Sequence, residues 1–139
     1  MSVEINVWAV LLAGVSSMLV GMLYYMPKVF GDQWMHLAKI NKDKYAKEMK
    51  TKMVWVFVAA LVTAEVVAYM TFLYHAYFAD NWLSAGVITS LILWLGLSAT
   101  TLFVHNSLDQ RPNHLTYISM GNRLLSLLAM GLIIGWLHP

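Results

Sequence analysis

Hydrophobic residues in this chain gather in four long runs, at about residues 5–26, 53–78, 83–105 and 115–137. Each is near or above the ~20 residues that cross ~30 Å of hydrocarbon at 1.5 Å per residue. The pattern predicts an all-α fold: an integral membrane bundle of four transmembrane helices, forming one domain over residues 1–139. The first run has no basic segment before it and no convincing cleavage site after it. It reads as a retained helix and not as a signal peptide.

The polar positions lie mostly between the first two runs. Asn41 is placed to cap a helix. From Lys42 onward the acid-before-base spacings Asp43/Lys47 and Glu48/Lys52 support helix, and no breaker separates them from the second run. One helix is expected from about Lys42 to Phe78. The connection between helices 1 and 2 is therefore an amphipathic helical segment at the membrane surface.

Composition strengthens this picture. The chain is 60% hydrophobic and 12% charged, where a soluble domain carries about 25% charged residues. A soluble fold of this size has no interior large enough for so much apolar surface. There is no cysteine, so disulfides and thiolate metal sites are excluded. The net charge is only +2, but seven of the nine basic residues are lysines between Lys28 and Lys52. Such a block in an apolar chain points to anionic lipid headgroups, and not to nucleic acid.

The lysines also set an orientation. The helix 1–2 connection carries Lys28, Lys39, Lys42, Lys44, Lys47, Lys50 and Lys52; the turn between helices 2 and 3 carries only Asp80. Positive charge stays cytoplasmic. The expectation is a multi-pass cell-membrane protein with both termini outside and the helix 1–2 and helix 3–4 connections inside. Tryptophan agrees: Trp8, Trp82 and Trp136 fall at the outer boundary and Trp34 and Trp55 at the inner one, as an aromatic belt. Trp94, near mid-helix 3, is expected to pack between helices.

At the inner end of helix 1, Tyr24 and Tyr25 precede Pro27, which cannot continue a helix's hydrogen bonding. Phe30 and Trp34 follow, with Gly31 permitting a bend. The run Gly21-x-x-Tyr24-Tyr25-x-Pro27-x-x-Phe30-Gly31-x-x-Trp34, with the looser set Gly96, Ala99-Thr100, Arg111-Pro112, Leu115, Gly121 and Gly131, resembles a small four-helix membrane family of bacteria and archaea. That family is known as a domain of unknown function, number seventeen sixty-one. The resemblance implies a fold and a location and no activity. The chain has Tyr24 where a tryptophan is commoner in the family, and Asn122-Arg123 where apolar residues are common.

Polar residues within the runs are the candidates for chemistry. Glu65 lies roughly 18 Å deep in helix 2 and Arg123 roughly 13 Å deep in helix 4, counted from the cytoplasmic side. A lone charge at such depth costs about 3 kcal/mol, so opposite charges at similar depth suggest an intramembrane ion pair. It serves either as a lock between helices or as a proton or ion site. A second stripe, Ser90, Trp94, Ser98, Thr101 and His105, faces Thr116, Ser119, Asn122, Arg123 and Ser126 across helices 3 and 4. These form either a polar crevice or interhelical hydrogen bonds. Small residues recur every fourth position at Ala13, Ser17 and Gly21, at Ala60, Ala64 and Ala68, and at Gly131 and Gly135, on faces that pack within a bundle or between subunits.

His36, His105 and His114 are expected at the inner side and His75 and His138 at the outer one, with no ligand spacing among them. The methionines read as scattered filler. No metal, haem or other cofactor and no catalytic set is expected. The sequence favours a structural or interaction role, as a subunit of a homo-oligomer or an accessory subunit of a larger membrane complex. A small-solute or proton transporter or channel using Glu65 and Arg123 is the alternative. A membrane oxidoreductase or oxygenase comes third.

Overall fold

The computed structural model describes residues 4–79 and 81–138. Asp80, used above in the orientation argument, lies outside the described residues. Helix α1 (Val7–Tyr24) begins at Asn6, whose side-chain oxygen accepts from the Trp8 and Ala9 amides, satisfying N–H groups that a helix start leaves without partners. The helix stops ahead of the proline. Met26 is extended (φ −60°, ψ 143°), and a π-helical turn, Pro27–Gly31, leads into the short α2 (Asp32–Leu37).

Asn41 caps α3 (Lys42–Phe78) by accepting from the Asp43 and Lys44 amides, so the long helix begins and ends as its sequence indicates. Ala79 closes it in the left-handed region, at φ 52°. The next rod is α4 (Trp82–Leu93), a π-helical segment Trp94–Ala99, and α5 (Thr100–Leu108). The last is α6 (Asn113–Trp136). Four helical rods, Val7–Tyr24, Lys42–Phe78, Trp82–Leu108 and Asn113–Trp136, are long and apolar enough to cross a membrane.

Helix α6 is the hub. It packs on α1 and α4, while α3 packs on α1 and α4. Asn6 Nδ2 donates to the Leu137 carbonyl at 2.9 Å, which brings both chain ends to one end of the bundle. The lysine-bearing connection lies at the other.

The core is built from small side chains. Ala9, Ala13, Ala60, Ala64 and Ala68 sit among Val67, Leu127, Met130 and Ile134. The small-residue faces of α3 and α6, with Ala13 of α1, therefore serve the bundle, whereas Ser17 and Gly21, expected on the same packing face as Ala13, lie on an open cavity, where a Cβ on Gly21 would meet nothing within 4 Å. Ala13 is inside the bundle with Ala60, Ala64 and Ala68. A Cβ on Gly131 would overlap the Gly86 carbonyl oxygen and Ser90 Oγ, and one on Gly135 would come within 2.6 Å of the Trp82 carbonyl oxygen. Small residues let helix backbones approach this closely. Large apolar side chains point outward instead, among them Leu12, Val62, Leu95 and Leu97.

The π-helical segment changes what helix 3 presents. A π turn holds one residue more than an α turn, so positions beyond it rotate by roughly 100°. Ahead of it, Ser90 is buried and donates to the Leu127 carbonyl at 2.8 Å. Trp94 packs between helices as expected, its indole N–H donating to the Met120 carbonyl at 3.0 Å. Beyond it the expected stripe fails. Ser98 is half-buried, and Thr101 and His105 are exposed. Their inward positions pass one residue along, to Leu102 and Asn106. Asn106 is buried and donates to Thr116 Oγ1 at 3.1 Å.

Candidate functional site

The first motif builds one wall of a crevice. Tyr24 stacks on Phe30 with ring centroids 4.6 Å apart, Tyr25 lies 5.1 Å from Trp34, and Trp34 lies 6.1 Å from Tyr45 of α3. This chain of rings folds α2 back beneath α1 and joins it to α3. Gly31 is required for closeness: a Cβ there would overlap the Tyr25 carbonyl oxygen. The loose second motif meets the first, because a Cβ on Gly121 would lie 2.5 Å from the Tyr24 hydroxyl. Gln33 Nε2 and His114 Nε2, 2.6 Å apart, tie α2 to the start of α6. Phe30 and Trp34 thus take different partners, Tyr24 and Tyr25, and do not form a face of their own.

Above this floor the halves of α1, α3 and α6 nearest the lysine-bearing connection stand apart around a cavity of about 700 Å³. Its polar lining comes from Tyr25, Ser119, Asn122, Arg123 and Ser126, with Ser17 and Thr63. Tyr25 and Ser119 line the same stretch of this wall. Asn122 Oδ1 is buried without a hydrogen-bond partner. Gly21 lies on the lining, and a Cβ added there would meet nothing within 4 Å.

Arg123 belongs to the inward stripe of α6. Ser119, Arg123 and Leu127 are four apart on that helix, and Leu127, Met130 and Ile134 continue the stripe into the core. Arg123 is exposed because the crevice is open beside it. It is the one charged residue on the crevice lining.

Glu65 does not reach it. Among the described residues no carboxylate lies within ion-pair distance of Arg123, and the expected Glu65–Arg123 pair is not formed. The reason is angular. The buried stripe of α3 runs through Ala60, Ala64, Val67, Ala68 and Thr71. At 3.6 residues per turn Glu65 lies roughly a third of a turn away from its centre, and it is exposed. Depth counted along the sequence does not fix which face of its helix a residue takes.

The crevice keeps the α6 half of the expected polar set, Ser119, Asn122, Arg123 and Ser126. It loses the helix 3 half: Ser90 is spent on the Leu127 carbonyl, and the π segment turns Thr101 and His105 away. Seven of the chain's ten methionines line the same space. Met18 and Met22 stand four apart on α1, with Met26 four further on just past its end; Met49 and Met53 stand four apart on α3; Met35 and Met130 complete the set. The scattered-filler reading is corrected here. The signal was present as the shared four-residue spacing in two helices.

Elsewhere the polar residues pair locally. Lys42 meets Asp32 at 3.0 Å and Lys52 meets Glu48 at 2.6 Å. The hydrogen bond and charge of Lys52 hold the Glu48 carboxyl below its usual range, in the part of α3 ahead of its apolar run. His105 lies 3.4 Å from Asp109, which also meets Arg111 at 3.3 Å. At the opposite end Trp82 is stacked between His75 and His138, at 3.8 and 5.3 Å. No three His, Asp or Glu side chains among the described residues gather as a metal site.

No curated protein and no solved structure matches the chain at significance. The model of one family does match, over residues 8–135, which takes in every helix and both motifs of the crevice. With so nearly the whole chain covered, this protein belongs to the family described as protein of unknown function, DUF1761.

Proposed function

We propose that this is an integral membrane protein of four spans whose inner crevice binds an anionic ligand reached from the cytoplasmic side. One observation carries the reading. The bundle places a permanently charged guanidinium on the inward face of α6, beside a cavity of about 700 Å³, with no carboxylate to neutralise it. Ligand pockets commonly have about 300–1,000 Å³. An arginine that faces an open crevice, without an acid beside it among the described residues, is suited to an oxyanion, which it holds with two parallel hydrogen bonds.

Membrane insertion is supported by the outward-facing apolar residues on all four rods, and the orientation by the lysines at the crevice end. In that orientation both termini are outside, and the lysine connection rests on anionic headgroups. Because the chain has no cysteine, single-cysteine variants report cleanly. Asn81→Cys is expected to react with an impermeant thiol reagent on intact cells, and Lys44→Cys only after the membrane is opened. The reverse pattern overturns the orientation.

The crevice has its own test. Ser119→Cys is expected to react with a water-soluble methanethiosulfonate in inside-out vesicles, whereas Leu127→Cys, buried in the core, stays unreactive. A Ser119→Cys protein as inert as Leu127→Cys would mean that water and solutes do not reach Arg123, and the proposal would fall.

Glu65 favours a second role alongside this one. A carboxylate facing lipid costs about 3 kcal/mol, a cost removed when another subunit covers it. That supports the interaction reading, in a homo-oligomer or beside a larger membrane complex.

A further inference from the structure

We infer that the crevice ligand is a single-chain amphiphile with a carboxylate head, a fatty-acid-like molecule held head-first at Arg123. The inference rests on the crevice reading above and names the class of ligand within it. Three properties of the lining select this class. The first is charge. One guanidinium and no second cation lie on the lining, which matches a single negative charge and leaves a doubly charged phosphate monoester half neutralised. Thioethers also bind soft metal cations, but a fixed guanidinium in the same low-dielectric space repels them.

The second property is the wall. Apart from the few polar groups around Arg123, the lining is apolar, and methionines from α1, α2, α3 and α6 dominate it. Methionine has three rotatable bonds and a polarizable sulfur, so a methionine wall adapts to a flexible chain. A small hydrated anion gains nothing from that wall and loses its water there. An alkyl chain that leaves water gains roughly fourfold in affinity for each methylene buried, and one that leaves the membrane exchanges one apolar surrounding for another.

The third property is access. Met22, Met26, Val56 and Ala59 line the crevice and are exposed, so the space opens on the flank of the bundle as well as at its inner end. A chain already in the membrane can enter sideways.

Protection of Ser119→Cys from the methanethiosulfonate reagent tests this in proteoliposomes of phosphatidylcholine. Palmitate is expected to protect, hexadecanol to need at least tenfold higher concentration, and acetate to have no effect. Arg123→Gln in that background should weaken protection by palmitate at least tenfold and erase its advantage over hexadecanol. Gly21→Leu, which fills open space with no Cβ contact to relieve, should abolish protection by both while melting no lower than its parent. Protection by palmitate that both variants leave unchanged overturns the inference. Protection by acetate and not by palmitate overturns it too, but leaves the anion-binding crevice standing. A Ser119→Cys protein that never reacts removes both.

Discussion

Gly131→Leu is expected to cost the bundle about 3 kcal/mol or more. Its Cβ would overlap the Gly86 carbonyl oxygen and Ser90 Oγ, so α4 and α6 must separate where their backbones are closest. Overpacking of this kind typically costs ~1–3 kcal/mol. Separation also breaks the 2.8 Å bond from Ser90 to the Leu127 carbonyl, worth about 0.6 kcal/mol in a membrane bundle. Gly131→Ala should already lower the melting temperature by several degrees. Gly21→Ala is the matched control, with no atom within 4 Å of its new Cβ. It should melt at or above wild type, since alanine is the better helix former by about 1 kcal/mol. Circular dichroism of the purified proteins in one detergent reads both. Equal melting of Gly131→Ala and wild type would mean that the two helices do not cross at these glycines.

The same glycines show what the sequence could carry. Spacing alone made Gly131 and Gly135 a packing face, and length and hydropathy drew the four rods with boundaries within a few residues. Whether that face looked inward or toward another subunit depends on which helix lies opposite, and that is a property of the whole bundle. The cap at Asn41 and the stop before Pro27 were legible because they are local: a side chain meeting backbone amides two or three residues on, and a ring without an N–H. The stripe on helix 3 was legible only as far as Trp94. Gly96 lies within Trp94–Ala99 but does not by itself specify a π turn, so counting by 3.6 continued past it and chose Thr101 and His105 where the fold uses Leu102 and Asn106.

The candidate site was half legible for a related reason. Depth along a helix is a sum over residues and survives small errors. Azimuth does not: one residue is 100°. Ser119, Arg123 and Ser126 line one cavity because α6 is regular from Asn113 to Trp136. Glu65 lies off the buried stripe of α3. The methionines were missed because each is unremarkable alone; their meaning lies in α1 and α3 diverging at the inner end, so that two four-residue ladders line one space.

The Glu65–Arg123 geometry leads to the sharpest energetic prediction. In a pair, removing either charge strands the other, at ~3–5 kcal/mol, and the double variant recovers the loss. In this fold neither residue relies on the other. Glu65 faces outward from α3 and Arg123 faces the crevice. On the proposed membrane-spanning reading, replacing Glu65 by glutamine removes a carboxylate from a lipid-facing surface. Replacing Arg123 by methionine removes a charge from an apolar crevice. In a single copy of the chain, with no second subunit over Glu65, each change should therefore raise the stability of the ligand-free protein, by up to about 3 kcal/mol on insertion scales. The double variant should equal their sum within about 0.5 kcal/mol, as independent sites do. Unfolding of the four proteins in one detergent, with their masses followed by light scattering, measures the cycle. Losses from both single changes, recovered in the double, would show that the charges meet after all and would empty the crevice of its free cation. A loss from Glu65→Gln alone, together with a fall in mass, would show instead that a second subunit holds the Glu65 carboxylate, leaving Arg123 to its ligand.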